Sequence, residues 1–189
     1  KKYDFNLDEA RKILEKSGWK YSDTDKIMTL LQKSTDKNKP ATSIRLEIEL
    51  TTSAWPELES VALEIKNQWE KIGAKVNIRT LTVSELQQAI KERDYEALLF
   101  GEILNIDPDP FSFWHSSQKR DPGLNLALFD NKNTDKILED ARSLVNYDDR
   151  KKKYAEFQNI LIEQAPAVFL YSSEYIYPQS KKIKNNNTR

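Results

Sequence analysis

Residues 43–78, SIRLEIELTTSAWPELESVALEIKNQWEKIGAKVNI, decide the architecture. From Ser43 to Leu50 the side chains alternate, with Ile44, Leu46, Ile48 and Leu50 on one side and Arg45, Glu47 and Glu49 on the other. That two-residue period is the mark of a half-buried strand. From Pro56 to Ile72 the period changes, and Leu58, Val61, Ala62, Ile65, Trp69 and Ile72 fall on one helical stripe. Gly73 ends the stripe, and Val76 and Ile78 resume strand alternation. Strand, helix, strand reads as a βαβ unit.

A second unit follows. Thr82, with Glu85 three residues later, forms a capping box for a helix carrying Leu86, Ala89 and Ile90, which delivers the chain to the apolar run Ala97–Phe100. Two successive right-handed crossovers imply an α/β fold, a mostly parallel sheet flanked by helices, and the continuous apolar run places Ala97–Phe100 centrally in it. Upstream, Asn6 caps a helix with Leu7, Ala10, Ile13 and Leu14 on one face, closed by Gly18. Ile27–Leu31 is a short apolar run, and the polar stretch Gln32–Thr42 reads as a long hairpin connection. Downstream, one helix carries Ile137, Leu138, Ala141, Leu144 and Val145. Another, opened by Asp148, carries Tyr154, Phe157, Ile160 and Leu161 and stops at Pro166. Ala167–Tyr171 reads as a buried strand, Glu174–Pro178 as an extended exit, and everything from Gln179 as a polar tail. The expected organisation is one domain over residues 1–178 with a disordered tail over 179–189.

Composition removes several function classes. Thirty Lys and Arg balance thirty Asp and Glu, so no net field draws the chain to nucleic acid or an anionic membrane surface. Cysteine is absent, which removes disulfide frameworks, thiolate zinc sites and cysteine nucleophiles. No apolar run is long enough to span a bilayer. The four glycines form no phosphate-cradling cluster, and nothing else calls for a cofactor. The chain opens on Lys1-Lys2 without an initiator Met or signal peptide, as an excised piece would.

Chemistry concentrates in residues 101–118, GEILNIDPDPFSFWHSSQ. Proline disfavours helix in the residue before it, so Asp107-Pro108-Asp109-Pro110 leaves the apolar run as extended backbone. Asp109 is placed to cap a helix beginning at Pro110, whereas Asp107 has no such local task and sits where open α/β sheets meet ligands. Trp114 and His115 fit either core packing or a ligand wall. A nucleophilic triad through His115 and Ser116 fails, because sequence neighbours do not face each other on a helical turn. A metal site from Asp107, Asp109 and His115 has a single nitrogen donor and no thiolate, so none is expected. An enzyme is therefore not expected.

At this segment the chain resembles the C-terminal lobe of the family 5 extracellular solute-binding proteins, the peptide and nickel receptors of bacterial ABC importers. The resemblance runs through DPDPFSFWHSSQ, Gly123-Leu124-Asn125, Asn133 to Asp135, Ala141-Arg142, Asp149-Arg150, Tyr154, Phe157-Gln158 and Ala165-Pro166-Ala167-Val168-Phe169-Leu170-Tyr171. Upstream it includes Tyr3 to Gly18-Trp19, and Gln68-Trp69-Glu70-Lys71-Ile72-Gly73 with Val76. It implies a periplasmic-binding-protein-like lobe (type II, cluster C) that captures short peptides in a cleft and delivers them to permease subunits. It also implies an extracytoplasmic location, in the periplasm or anchored at the cell surface as a lipoprotein, and an N-terminal lobe of the same receptor as partner. An acidic residue in this loop commonly pairs with the ligand's α-amino group in the family; Asp107 is the nearest match, and Asn105 is the alternative occupant of that place. Gly101–Asn125 supplies aromatic walls, main-chain partners and charges, which makes Asn105, Asp107, Asp109, Trp114, His115 and Asn125 the candidate ligand-binding set. The other reading is a free-standing α/β interaction module in which Trp55, Trp114 and the tyrosines of 171–177 form a protein-binding face.

Overall fold

The structure, a computed structural model, describes residues 3–32, 40–103, 109–173, 178 and 180. Helix α1 (Leu7–Lys16) opens on Asn6, whose side chain accepts from the Glu9 amide at 2.9 Å. Gly18, at φ +95°, turns the chain out of it. Strands β1 (Lys20–Ser22), β2 (Ile27–Gln32) and β3 (Thr42–Arg45) form an antiparallel sheet in the order β1-β2-β3. Then come β4 (Glu47–Ser53), α2 (Pro56–Glu70), β5 (Lys75–Leu81), α3 (Val83–Glu92) and β6 (Ala97–Leu98), whose strands make a parallel sheet in the order β5-β4-β6. The expected parallel sheet flanked by helices is present.

Three strand expectations need correction. The alternating stretch Ser43–Leu50 is two strands in two sheets. The Leu46 amide donates to Met28 O at 2.8 Å and the Lys75 amide donates to Leu46 O at 2.8 Å, so the chain changes partners at that residue. The two-residue period runs through the joint unbroken, which hides the change from sequence. Second, Ala97–Phe100 is not central. Only Ala97 and Leu98 pair, with Leu50 and Thr51, and β4 is the middle strand. The crossover through α3 carries the chain back past β4, and the apolar run is accounted for by packing beneath α2, where Ala97 and Leu99 meet Leu50, Ala62 and Val76. Third, Ala167–Tyr171 is irregular, with Val168 73% and Phe169 66% exposed, because no strand among the described residues offers it a ladder.

Register explains the sheet's two coverings. Leu50 lies beside Ile78 and Ala97, and Ile48 beside Val76, so this face carries the apolar side chains and takes α2. Glu49 and Arg79 share the other face, and the Arg79 guanidinium bonds Asp94 at 3.0 Å just past the end of α3. Right-handed crossovers that run in opposite directions along a sheet put their helices on opposite faces, as seen here. The Thr82 cap of α3 is the full capping box read from sequence.

The remainder is a helical unit: α4 (Phe111–Trp114), a 3-10 turn (Ser116–Gln118), α5 (Lys132–Ser143) and α6 (Tyr147–Gln164). Phe129, Ile137, Leu138, Phe157 and Leu161 form its core. Helix α6 is capped by Asn146, which accepts from the Asp148 amide at 2.9 Å and the Asp149 amide at 3.2 Å, so Asp148 stands inside the first turn and is not its cap. Two side chains tie this unit to the foot of the parallel sheet. Arg93, a left-handed C-cap at φ 59°, donates to Lys119 O at 3.0 Å, Gly123 O at 2.7 Å and Ile90 O. Tyr95 donates to Leu126 O at 2.8 Å. At the other end of the sheet Tyr171 donates to Glu57 at 2.8 Å. Most of the 32–42 connection, most of the 174–178 exit and nearly all of the tail fall outside the described residues.

Candidate functional site

The strands β4, β5 and β6 all end at one edge of the parallel sheet, and it is beyond the carboxyl ends of such strands that open α/β sheets meet their ligands. Each exit presents a large exposed apolar side chain. Trp55 lies two residues past Ser53 and is 64% exposed, Val83 two past Leu81 at 69%, and Phe100 two past Leu98 at 45%. Glu102 follows on the β6 exit; it keeps solvent contact, yet desolvation raises its carboxyl above the usual Glu range. Trp55 was legible only as a possible protein-binding aromatic, and Val83 and Phe100 carried no signal, because the alignment of three strand ends is a property of the sheet.

The candidates from 101–125 are placed unevenly. Asn105 and Asp107 lie outside the described residues. Asp109 is occupied locally: it accepts from the Phe111 amide at 3.1 Å and pairs with Arg142 at 3.0 Å, although α4 begins at Phe111, with Pro110 and not Asp109 in the cap position. The same Arg142 stacks over the Phe111 ring at 4.4 Å from its centroid. Trp114 turns into the helical core, within 6.4 Å of the Phe129 and Phe157 ring centroids and 6.0 Å of Phe169.

His115 is buried and stacks flat on Phe111, centroids 4.1 Å apart. The Ser117 amide donates to Nδ1 at 3.1 Å, and an N–H can only donate, so Nδ1 carries a lone pair and the neutral ring holds its proton on Nε2. That Nε2–H points at Glu139, 3.3 Å away, with Asp135 at 3.8 Å. Ser117 Oγ also lies 2.8 Å from Nδ1, so serine, histidine and acid are near one another. They do not form an activated nucleophile. The histidine nitrogen facing the serine is already engaged as the cap of the 3-10 turn, and its ring is packed under Phe111. Ser116, the serine weighed from sequence, bonds Asp135 instead, at 2.6 Å.

Asn125 is fully buried. Its Nδ2 donates to the carbonyls of Trp114 (3.3 Å), His115 (3.1 Å) and Phe129 (2.9 Å), and its Oδ1 accepts from the Phe129 amide at 3.0 Å. With every bonding group used inside the fold, it has none to offer a ligand. Trp114, His115 and Asn125 are thus brought together as a knot that shapes the helical unit. Sequence types alone do not separate such a knot from a binding cluster. Among the described residues no group of three or more His, Asp or Glu side chains is arranged to hold a metal ion, and no helix is long and apolar enough to cross a membrane.

A parallel sheet with an open carboxyl edge and an appended helical unit is the architecture of a periplasmic-binding-protein lobe. The solved structure of the oligopeptide-binding protein AppA from Bacillus subtilis, in complex with a nonapeptide, superposes with a TM-score of 0.75 at 27% identity, over 88% of this chain and 31% of that one. By sequence, AppA of B. subtilis strain 168 is 28% identical over 172 residues, 90% of this chain and 30% of the relative. Heme-binding protein A of Haemophilus influenzae is 32% identical over 130 residues, 68% of this chain and 24% of the relative. NikZ from Campylobacter jejuni, solved with Ni(L-His), shares the fold at a TM-score of 0.70 and 24% identity, over 88% of this chain and 32% of that one. The profile of the bacterial extracellular solute-binding proteins, family 5 (middle region), matches residues 1–123. The chain belongs to that family, whose members are solute-binding proteins and not enzymes. It spans about 30% of the length of AppA.

Proposed function

We propose that residues 1–178 form a ligand-binding lobe of an ABC-importer substrate-binding protein, which captures short peptides in a cleft against a second lobe. The loaded receptor then docks on permease subunits at the outer face of the membrane, and 179–189 serve as a tail. The likeness to AppA over 90% of the chain carries this reading, since AppA is named for oligopeptides. The open carboxyl edge supports it with apolar surface of the kind peptide side chains bury. By sequence, Asp107 or Asn105 answers to the family's amine-anchoring place. A single lobe supplies half of the contacts and leaves the ligand in water, so closure of two lobes would raise affinity by completing the contacts and excluding solvent. The test is isothermal calorimetry with a mixed pentapeptide library. The complete polypeptide encoded by the gene should bind in the micromolar range and the 189-residue chain at least a hundredfold more weakly. Micromolar binding by the chain alone would contradict the two-lobe reading, and no binding by the complete polypeptide would contradict peptide capture.

A further inference from the structure

We propose that the carboxyl edge of the parallel sheet selects peptides that are both apolar and positively charged, with Trp55, Val83 and Phe100 taking the apolar side chains and Glu102 the charge. This deepens the peptide-capture reading and rests on it. The strand exits carry the inference. Neighbouring strands lie about 4.8 Å apart, so exits in the order β5-β4-β6 set Val83 and Trp55 level, past the Ser53–Leu81 pair, with Phe100 two residues lower, past the Thr51–Leu98 pair, across an edge about 10 Å wide, the reach of a few peptide residues. Scattered exposed apolar residues are ordinary, but one two residues past the end of each of three adjacent strands gathers three of them at one edge of the sheet.

The same exits are one-sided in charge. In a chain with as many basic as acidic residues, segments 53–59, 81–87 and 98–103 contain Glu57, Glu59, Glu85 and Glu102 and no Lys or Arg. Two of the four carboxylates are committed: Glu57 to Tyr171, and Glu85 to the Thr82 cap. Glu102 has no hydrogen-bond or ionic partner among the described residues, and its surroundings already strip part of its water. A partly desolvated carboxylate without a counter-charge is stabilised by whatever cation arrives, and it repels an acidic ligand. The edge therefore discriminates by charge as well as by apolar area.

The experiment is calorimetry on the complete polypeptide with three pentapeptides, Lys-Phe-Lys-Phe-Lys, Glu-Phe-Glu-Phe-Glu and Lys-Ser-Lys-Ser-Lys. The first should bind about tenfold or more tightly than either of the others. Glu102→Gln should weaken the first peptide about fivefold, the contribution of one partly screened charge contact, while leaving its advantage over the serine peptide intact. Trp55→Ala, which removes a side chain 64% exposed here, should erase that advantage in a protein that still melts cooperatively. Equal binding of all three peptides, or a charge preference unmoved by Glu102→Gln, overturns this inference and leaves peptide capture standing. Failure of all three to bind a protein that still melts cooperatively overturns both.

Discussion

Asn125 shows how much a single residue decides in this chain. One carboxamide joins the end of α4, the 3-10 turn and the turn before Phe129, with its two amide protons shared among three carbonyls and its oxygen accepting one amide. Next to it the backbone comes so close that a Cβ on Gly123 would lie 2.3 Å from Gln118 O, so only glycine fits there. Replacing Asn125 with Ala strands buried carbonyls and an amide, each costing about 1–3 kcal/mol when unmatched. Urea unfolding of Asn125→Ala should show a loss of about 3 kcal/mol or more. A loss under about 1 kcal/mol would mean that water replaces the carboxamide without cost.

At the scale of elements, α3 depends on its first turn. The Thr82 hydroxyl and amide hold Glu85, and these bonds lower the Glu85 carboxyl below its ordinary value of 4.5. Thr82→Ala should cost about 1 kcal/mol in thermal or chemical unfolding, the usual contribution of an N-cap. The sign of the pH effect follows from linkage. A carboxyl whose pKa is lower folded than unfolded stabilises the fold above the unfolded value, and that contribution drains away as pH falls through the folded value. Wild type should therefore melt above Glu85→Gln at neutral pH, and the gap should close as pH drops below about 4.5. A gap constant across that range would show that the carboxylate form is not what the cap holds. The starts of α1, α5 and α6 are also capped, since Asn6, Asn131 and Asn146 each accept from first-turn amides.

At the scale of the molecule, polar contacts join two hydrophobic clusters, and among the described residues Arg93 makes three bonds at this joint. Its guanidinium reaches carbonyls on both sides of the joint, and bonds from a charged donor are each worth about 1.5–3 kcal/mol when shielded from water. Arg93→Ala should speed hydrogen exchange of amides in 115–128 well beyond those of β4 and β5. Uniform acceleration across both clusters would indicate one cooperative unit instead. The same joint sets the helical unit against the foot of the sheet, away from the carboxyl edge.

The sequence by itself determined the local elements. The Pro56–Ile72 stripe, the Thr82–Glu85 box, the Asn6 cap and the Asp109 bond to the Phe111 amide are written in residues within a few positions of one another, so their physics is complete at short range. The ordered residues behind the family resemblance were legible for the same reason. Only the tertiary structure decided which strand lies in the middle, that Leu46 passes the chain from one sheet to another, and that Val168–Tyr171 runs exposed and without a ladder. It also turned Trp114, His115 and Asn125 inward and brought the exits of three strands to one edge of the sheet. Those outcomes depend on pairings between residues 10 to 47 positions apart, where an apolar side chain is drawn equally to any neighbour that excludes water, and the local pattern does not say which neighbour that is.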